Sequence, residues 1–260
     1  MKKYHLISGL PRSGSTLLSA ILNQNPRFQS SITDPVFQFV SSIINNSEAG
    51  LGFRFEVPVE KRKQLIQAIM DTYYDNPEKE VAFNTSRAWG LKFNTMKALY
   101  PDLKMIFCVR DLGWVLDSFE RLHAKQPFAV SKMFGMDQGS TVFTRCNTLI
   151  DPNGTVGSSY NAMREALAGE HNSSTVILDY DYFTKNPEVA MKAIYNFLGE
   201  PYFDHDFDNV ESSYDEYDAD LGLPGLHTTR KKVEFIPRQT ILPQEIWDNC
   251  KGMEFWKPAK

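Results

Sequence analysis

A run of apolar residues, "YHLISG" (4–9), passes through the loop "LPRSG" (10–14) straight into a helical pattern, "STLLSAILN" (15–23). A strand, a glycine-bearing turn and a helix start are the opening half of a βαβ unit, which closes on a parallel sheet. Further runs of strand length fall at "EVAFN" (80–84), "LKMIFCV" (103–109) and "STVILDY" (174–180). Helical patterns lie between them at 59–75, 87–100, 113–125, 158–169 and 187–199, the first placing Leu65, Ile66, Ile69 and Tyr73 on one stripe. The last begins with Pro187 in its first turn and ends at Gly199, as helix ends prefer. Strands alternating with helices predict an α/β fold of three layers, a central, mostly parallel sheet flanked by helices. Sheets of this kind bind ligands outside the carboxyl ends of their strands, where the first loop falls.

Against the phosphate-loop pattern G-x-x-x-x-G-K-[ST], the opening fits at Gly9, Gly14 and Thr16. It departs at Ser15, which stands where the pattern requires lysine, and Arg12 lies inside the loop. Backbone N–H groups at such a helix start, with the helix dipole, make an anion site. The layout is that of phosphate-loop nucleotide kinases, but their lysine manages the β and γ phosphates together with magnesium. Arg12 instead offers a fixed cation with a fork of donors, suited to one terminal oxyanion group. A phosphosulfate, one phosphate bearing one sulfuryl group, fits that equipment.

Composition narrows the class. The 260 residues, 42% of them apolar, suit a single domain spanning 1–260, with 200–260 read as a wrap over it rather than a second domain. A net charge of −4 gives no reason to expect a nucleic-acid or membrane partner. Three widely spaced cysteines (Cys108, Cys146, Cys250) predict a reducing compartment with neither a disulfide frame nor zinc spacing. No apolar stretch approaches the ~20 residues of a membrane span, and "MKKYHLISGL" breaks off too soon for a secretory signal. The expectation is a soluble, cytoplasmic protein. The tail divides by charge, with acids through 204–220 and then "HTTRKKVEFIPR" (227–238). Asp204, Asp206 and Asp208 alternate as calcium-loop ligands do, but Asn209 stands where that loop needs glycine, so they read as a solvated face.

A second stretch, "IFCVRDLGWVLDS", runs a strand into a helix, with Arg110 at the strand's end and Ser118 eight residues on. Taken alone, an arginine followed by aspartate there is an ordinary local ion pair. Together the two stretches resemble the sulfotransferases that use 3′-phosphoadenosine 5′-phosphosulfate (PAPS), nearest their bacterial and tyrosylprotein branches. "GLPRSGSTLLSAILNQNP" is similar to the family's 5′-phosphosulfate loop, and "VRDLGWVLDSF" to the motif whose arginine and serine grip the 3′-phosphate. "VILDYDYFTKNPE" (176–188) resembles its later strand and loop, whose tyrosine lies by the nucleotide; that position is Tyr180. The resemblance implies PAPS as co-substrate and 3′-phosphoadenosine 5′-phosphate (PAP) as product, with no metal. It implies nucleotide contacts from Arg12, Ser13, Gly14, Ser15, Thr16, Leu17, Arg110, Ser118 and Tyr180. From the basic C-terminal loop that closes over the nucleotide it adds Thr229, Arg230 and Lys232.

Sulfuryl transfer to a hydroxyl, or less favourably an amine, asks the protein to position the reactants, stabilise charge and accept a proton. Arg12 and Arg87 are the expected catalytic cations, Arg87 because "FNTSRAWGLK" lies at the same sheet edge. Asp34, in "SSITDPVFQF", reads two ways. It is placed near the family's catalytic glutamate, and Asp followed by Pro is also a helix-capping signature. The acceptor, a small molecule or a polymer-borne hydroxyl, is not written in the motifs. Phe37, Phe39, Phe128, Phe134 and Phe143 could line an apolar pocket for it, under a lid at 126–157. Two other readings stay open: a small-molecule kinase with Asp111 or Asp179 on magnesium, and a non-catalytic nucleotide-binding protein.

Overall fold

The computed structural model describes residues 2–46, 56–125, 134–135, 137–210, 212, 214–220 and 225–257. Five parallel strands, β1 (Lys3–Gly9), β2 (Phe28–Ser30), β3 (Val81–Thr85), β4 (Met105–Val109) and β5 (Thr175–Asp179), form one sheet in the order β2-β3-β1-β4-β5. β3 and β4 are buried along their whole length, as strands covered on both faces must be. The side chains of β1, β3 and β4 alternate between two cores. Tyr4, Leu6, Met105, Phe107 and Val109 face one, and Ile7, Phe83, Ile106 and Cys108 the other.

The second core is closed by α1 (Ser15–Leu22) and α9 (Pro187–Leu198), with short α8 (Tyr180–Lys185) between β5 and α9. The first is closed by α2 (Val36–Asn46), α3 (Val59–Tyr73), α4 (Phe93–Leu99), α5 (Leu112–Lys125), α6 (Val142–Ile150) and α7 (Thr155–Ala168). Each large side chain fully buried in these layers, such as Phe28, Phe107 or Leu18, contributes ~1.5–3 kcal/mol relative to exposure. Pro187 and Gly199 bound α9 as expected, Gly199 taking φ 75° at the C-cap.

Several elements differ from the sequence reading. In α3 the buried stripe is Ile66 and Met70, running on to Tyr74, while Leu65 and Tyr73 stay exposed. The stripe's phase is set by what lies opposite: Tyr74 reaches inward to bond Asp34. The pattern at 87–100 splits into a 3-10 turn (Trp89–Lys92) and α4, because the Trp89 indole donates to Asn84 Oδ1 (2.6 Å) and pins the chain. Strand β2 has three residues at the sheet edge, too short for periodicity to show. The expected lid at 126–157 includes α6 and the start of α7; residues 126–133 and 136 lie outside the described residues.

The tail crosses the carboxyl edge of the sheet. It starts on the second core, where Gln24 and Asp206 exchange hydrogen bonds. A strap then pairs Val210 N–H with Lys231 carbonyl and Val233 N–H with Phe207 carbonyl, spanning α10 (Asp215–Asp220). It ends on the first core with α11 (Gln244–Asn249), whose Trp247 meets Trp114 of α5 edge to face.

Candidate active site

β1, β3, β4 and β5 deliver Arg12, Arg87, Arg110 and Tyr180 to one edge of the sheet, beside the β1–β4 pair where the winding direction reverses. There a cleft of about 1490 Å³ opens, lined by the first loop, the starts of α1 and α8, one face of α5 and the tail from Gly225 to Ile241. That exceeds the ~300–1,000 Å³ of most small-molecule pockets, so it has room for a nucleotide beside a second reactant.

The first loop is built for close approach. A Cβ on Gly9 (φ 113°) would lie 2.1 Å from the Cys108 carbonyl oxygen, so β1 and β4 can run together here only past glycine. Gly14 (φ 93°) lies under the Tyr180 ring, which a Cβ would meet at 2.7 Å. The first backbone bond of α1 joins Leu18 N–H to Gly14 carbonyl. The amides of Ser15, Thr16 and Leu17 therefore precede the helix ladder, the arrangement that suits an anion.

Among the described residues Arg12 is the one non-glycine residue with positive φ (59°), a conformation costing ~1–2 kcal/mol. Its side chain shows what that placement achieves. Nε donates to Ser118 Oγ (3.0 Å) on α5, and Nη1 donates to the Leu226 carbonyl of the tail. Arg12 thus ties together the two motifs singled out in the sequence. Burial pushes its guanidinium pKa down to about 10. Tyr180 and Asp218 oppose that shift, while Arg110 and Arg238 add to it. The group stays cationic at neutral pH in a site with excess positive potential.

Arg110 is buried, with its guanidinium carbon 4.3 Å from the Tyr180 ring centre and Nε 3.3 Å from Asp181 Oδ1. Arg238, from the tail, lies over the Trp114 ring at 5.2 Å. It is held by the fully buried Asp117, which also accepts from Arg121 Nε (2.8 Å) and Ile241 N–H (2.8 Å). Asp117 is a residue the sequence reading missed; only its place one turn from Arg121 on α5 hinted at it. Arg110 Nε and Arg238 Nε are buried donors without an acceptor among the described residues. Orphaned cationic donors in a cleft point to an anionic ligand.

The remaining expected residues divide. Arg87, Thr229, Arg230 and Lys232 line the cleft. Lys232 pairs with Asp208 (2.9 Å) with both side chains well exposed, which contributes little. Ser13 is buried off the cleft wall, its hydroxyl donating to the Pro11 carbonyl. Asp34 is also off the wall. Its buried carboxylate accepts from Ser31 Oγ, Val36 N–H, Tyr74 OH and Asn84 Nδ2, at 2.6–3.0 Å. The sequence allowed it as a base or a cap; the structure makes it a cap and a hub whose lone pairs are spent. Asp34→Asn should therefore lower stability by ~1–3 kcal/mol in chemical denaturation, while PAP affinity and turnover per folded molecule stay unchanged.

Asp111 and Asp179, the magnesium ligands of the kinase reading, bond backbone amides of the helices they precede: Asp111 to Gly113 N–H and Asp179 to Tyr182 N–H. Of the phenylalanines, Phe37 lines the cleft, Phe39 and Phe143 are exposed, Phe134 packs against the core, and Phe128 is outside the described residues. The three cysteines are free and buried. No helix among the described residues is long and apolar enough to cross a membrane.

A parallel sheet bearing a glycine loop and converging arginines at its carboxyl edge defines an α/β protein of the phosphate-loop kind. The family model described as "Sulfotransferase family" matches residues 6–204, and the chain belongs to that family. Its fold is similar to that of the sulfotransferase domain from the curacin biosynthetic pathway (15% identity, TM-score 0.54, 100% of this chain and 94% of that one). It is also similar to a sulfotransferase from Alicyclobacillus acidocaldarius (15%, 0.51, 85% and 92%). A mouse sulfotransferase solved in complex with PAP is a further neighbour (12%, 0.50, 85% and 64%). No curated protein matches the sequence significantly.

Proposed function

We infer that this sulfotransferase moves a sulfuryl group from PAPS to a hydroxyl acceptor, in line and without a metal. The observation that carries the reading is the pair of buried, acceptor-less arginine Nε donors lining the same cleft as a loop that has serine where the phosphate-loop pattern has lysine. PAPS supplies the activated sulfuryl group, and the protein positions it and neutralises the charge left on its 5′-phosphate. Loop amides of Ser15, Thr16 and Leu17 with Arg12 serve that phosphosulfate, and Arg110, Ser118 and Tyr180 serve the 3′-phosphate end. Thr229, Arg230 and Lys232 cover the nucleotide from the tail. Arg87, which also lines the cleft, serves the acceptor side. Buried free thiols suit a cytoplasmic location.

PAP should raise the melting temperature without magnesium, and by more than ATP with magnesium does. Thermal-shift titration checks this. Equal or greater stabilisation by magnesium-ATP would overturn the PAPS assignment.

A further inference from the structure

A hydroxyl acceptor must lose its proton as it attacks, and with Asp34 committed elsewhere the base has to come from another part of the cleft. The tail places a histidine there. His227 lines the cleft one residue beyond Leu226, the residue bonded to Arg12. Its Nδ1 is 2.5 Å from Oδ1 of Asp218, and its backbone N–H donates to Oδ2 of the same carboxylate (2.7 Å). Asp218 has no exposed surface. A carboxylate holding both the ring and the backbone of one histidine fixes the ring's orientation. It also fixes the tautomer, because an oxygen acceptor at Nδ1 keeps the proton there and leaves the Nε2 lone pair outward. Among the described residues no group bonds Nε2.

We propose that His227 is the general base of the transfer and that Asp218 is its positioning residue. The inference rests on the sulfuryl-transfer reading above. Nε2 takes the proton of the acceptor hydroxyl while its oxygen forms a bond to sulfur. The bond from sulfur to the bridging phosphate oxygen breaks, and its electron pair leaves with PAP. The products are a sulfate ester, PAP and an imidazolium that returns its proton to water.

The surroundings keep the ring neutral and so able to accept. Burial lowers its pKa from the ordinary 6.5, Asp218 works against that, and Arg12 and Arg87 lower it further. Tyr217 lies tilted against it, with ring centres 5.4 Å apart. The sign follows. A depressed pKa keeps the base form populated down to below pH 6.5, and turnover should fall only as pH drops through the lowered value.

The test measures transfer from labelled PAPS to substituted phenols whose pKa values run from about 10 down to neutrality, with nitrogen-15 NMR of the imidazole alongside. An acceptor already ionised needs no base. His227→Ala should thus lower turnover by about 10²-fold with the least acidic phenols and by only a few-fold with 4-nitrophenol, leaving PAP affinity unchanged. Asp218→Asn should flip the tautomer, putting the proton on Nε2, and should lower turnover while moving the acid limb to lower pH. Equal losses across the phenol series, or none, would overturn the dyad. So would a wild-type spectrum showing the proton on Nε2, and that arm decides if the panel is turned over too slowly to compare. A wild type that fails to bind PAP would instead sink the PAPS reading itself.

Discussion

Replacing Arg12 by alanine should cut turnover by about 10²- to 10³-fold while weakening PAP binding by less than about tenfold, the scale set by removing one donor to a developing oxyanion. The guanidinium lies where the first loop, α5 and the tail meet, bonded to Ser118 and to the Leu226 carbonyl. Those bonds use two of its five N–H groups, so donors remain for a ligand. As sulfur leaves the bridging oxygen, negative charge grows on the phosphate, and a cation fixed at that point gains most in the transition state. It should therefore show in turnover more than in product affinity. Alanine leaves the loop amides and Arg110 in place, which is why binding survives. Arg12→Lys should recover part of the rate, because one ammonium keeps the charge but cannot make both tethering bonds and reach the ligand. Rapid-quench turnover and PAP titration of the three proteins decide. An alanine variant that loses PAP binding but keeps single-turnover chemistry would make Arg12 a binding residue instead.

The parts of this architecture that sequence could show are those held by local chemistry. The glycine loop, the strand alternation and the Pro187–Gly199 helix depend on neighbours within a few residues. Each was readable for that reason. The eight-residue step from Arg110 to Ser118 was readable as a motif. That Ser118 accepts from Arg12, 106 residues earlier, depends on the order in which the sheet winds. Asp34 shows the limit from the other side. Its local pattern allowed both cap and base, and only Tyr74 and Asn84, brought in from α3's end and β3, consume the lone pairs. His227 was lost in a run of basic residues because its partner, Asp218, belongs to an acidic run nine residues back. An acidic stretch that read as a solvated face and a basic stretch that read as a nucleotide-covering loop supply the two halves of a buried pair when the strap folds them together. The same holds for Asp117, whose importance comes from Arg238 arriving across α5.

Arg110→Ala should weaken PAP binding by about 2–4 kcal/mol, the range for a charge-assisted pair lost from a partly buried site. Binding of adenosine 5′-phosphosulfate, which lacks the 3′-phosphate, should barely change. Arg110 sits at the end of β4, buried, with an Nε–H that finds no acceptor among the described residues and a carboxylate, Asp181, just outside bonding geometry. A cation so placed is stabilised only in part by its protein neighbours, so a phosphate that reaches it gains most of a full ionic hydrogen bond. One complication is structural. Arg110 and Gly14 both pack against the Tyr180 ring, so truncating the arginine also loosens a neighbour of the first loop. Arg110→Lys separates the two effects, because it keeps a charge for the phosphate and much of the packing on Tyr180 while losing the planar fork. If the 3′-phosphate is the partner, lysine should recover part of the PAP affinity and alanine should spare the phosphosulfate. Isothermal titration of both nucleotides with wild type, alanine and lysine variants reads this directly. Equal loss of both nucleotides in the alanine variant, with no recovery by lysine, would assign Arg110 to holding Tyr180 and the loop rather than to binding the phosphate.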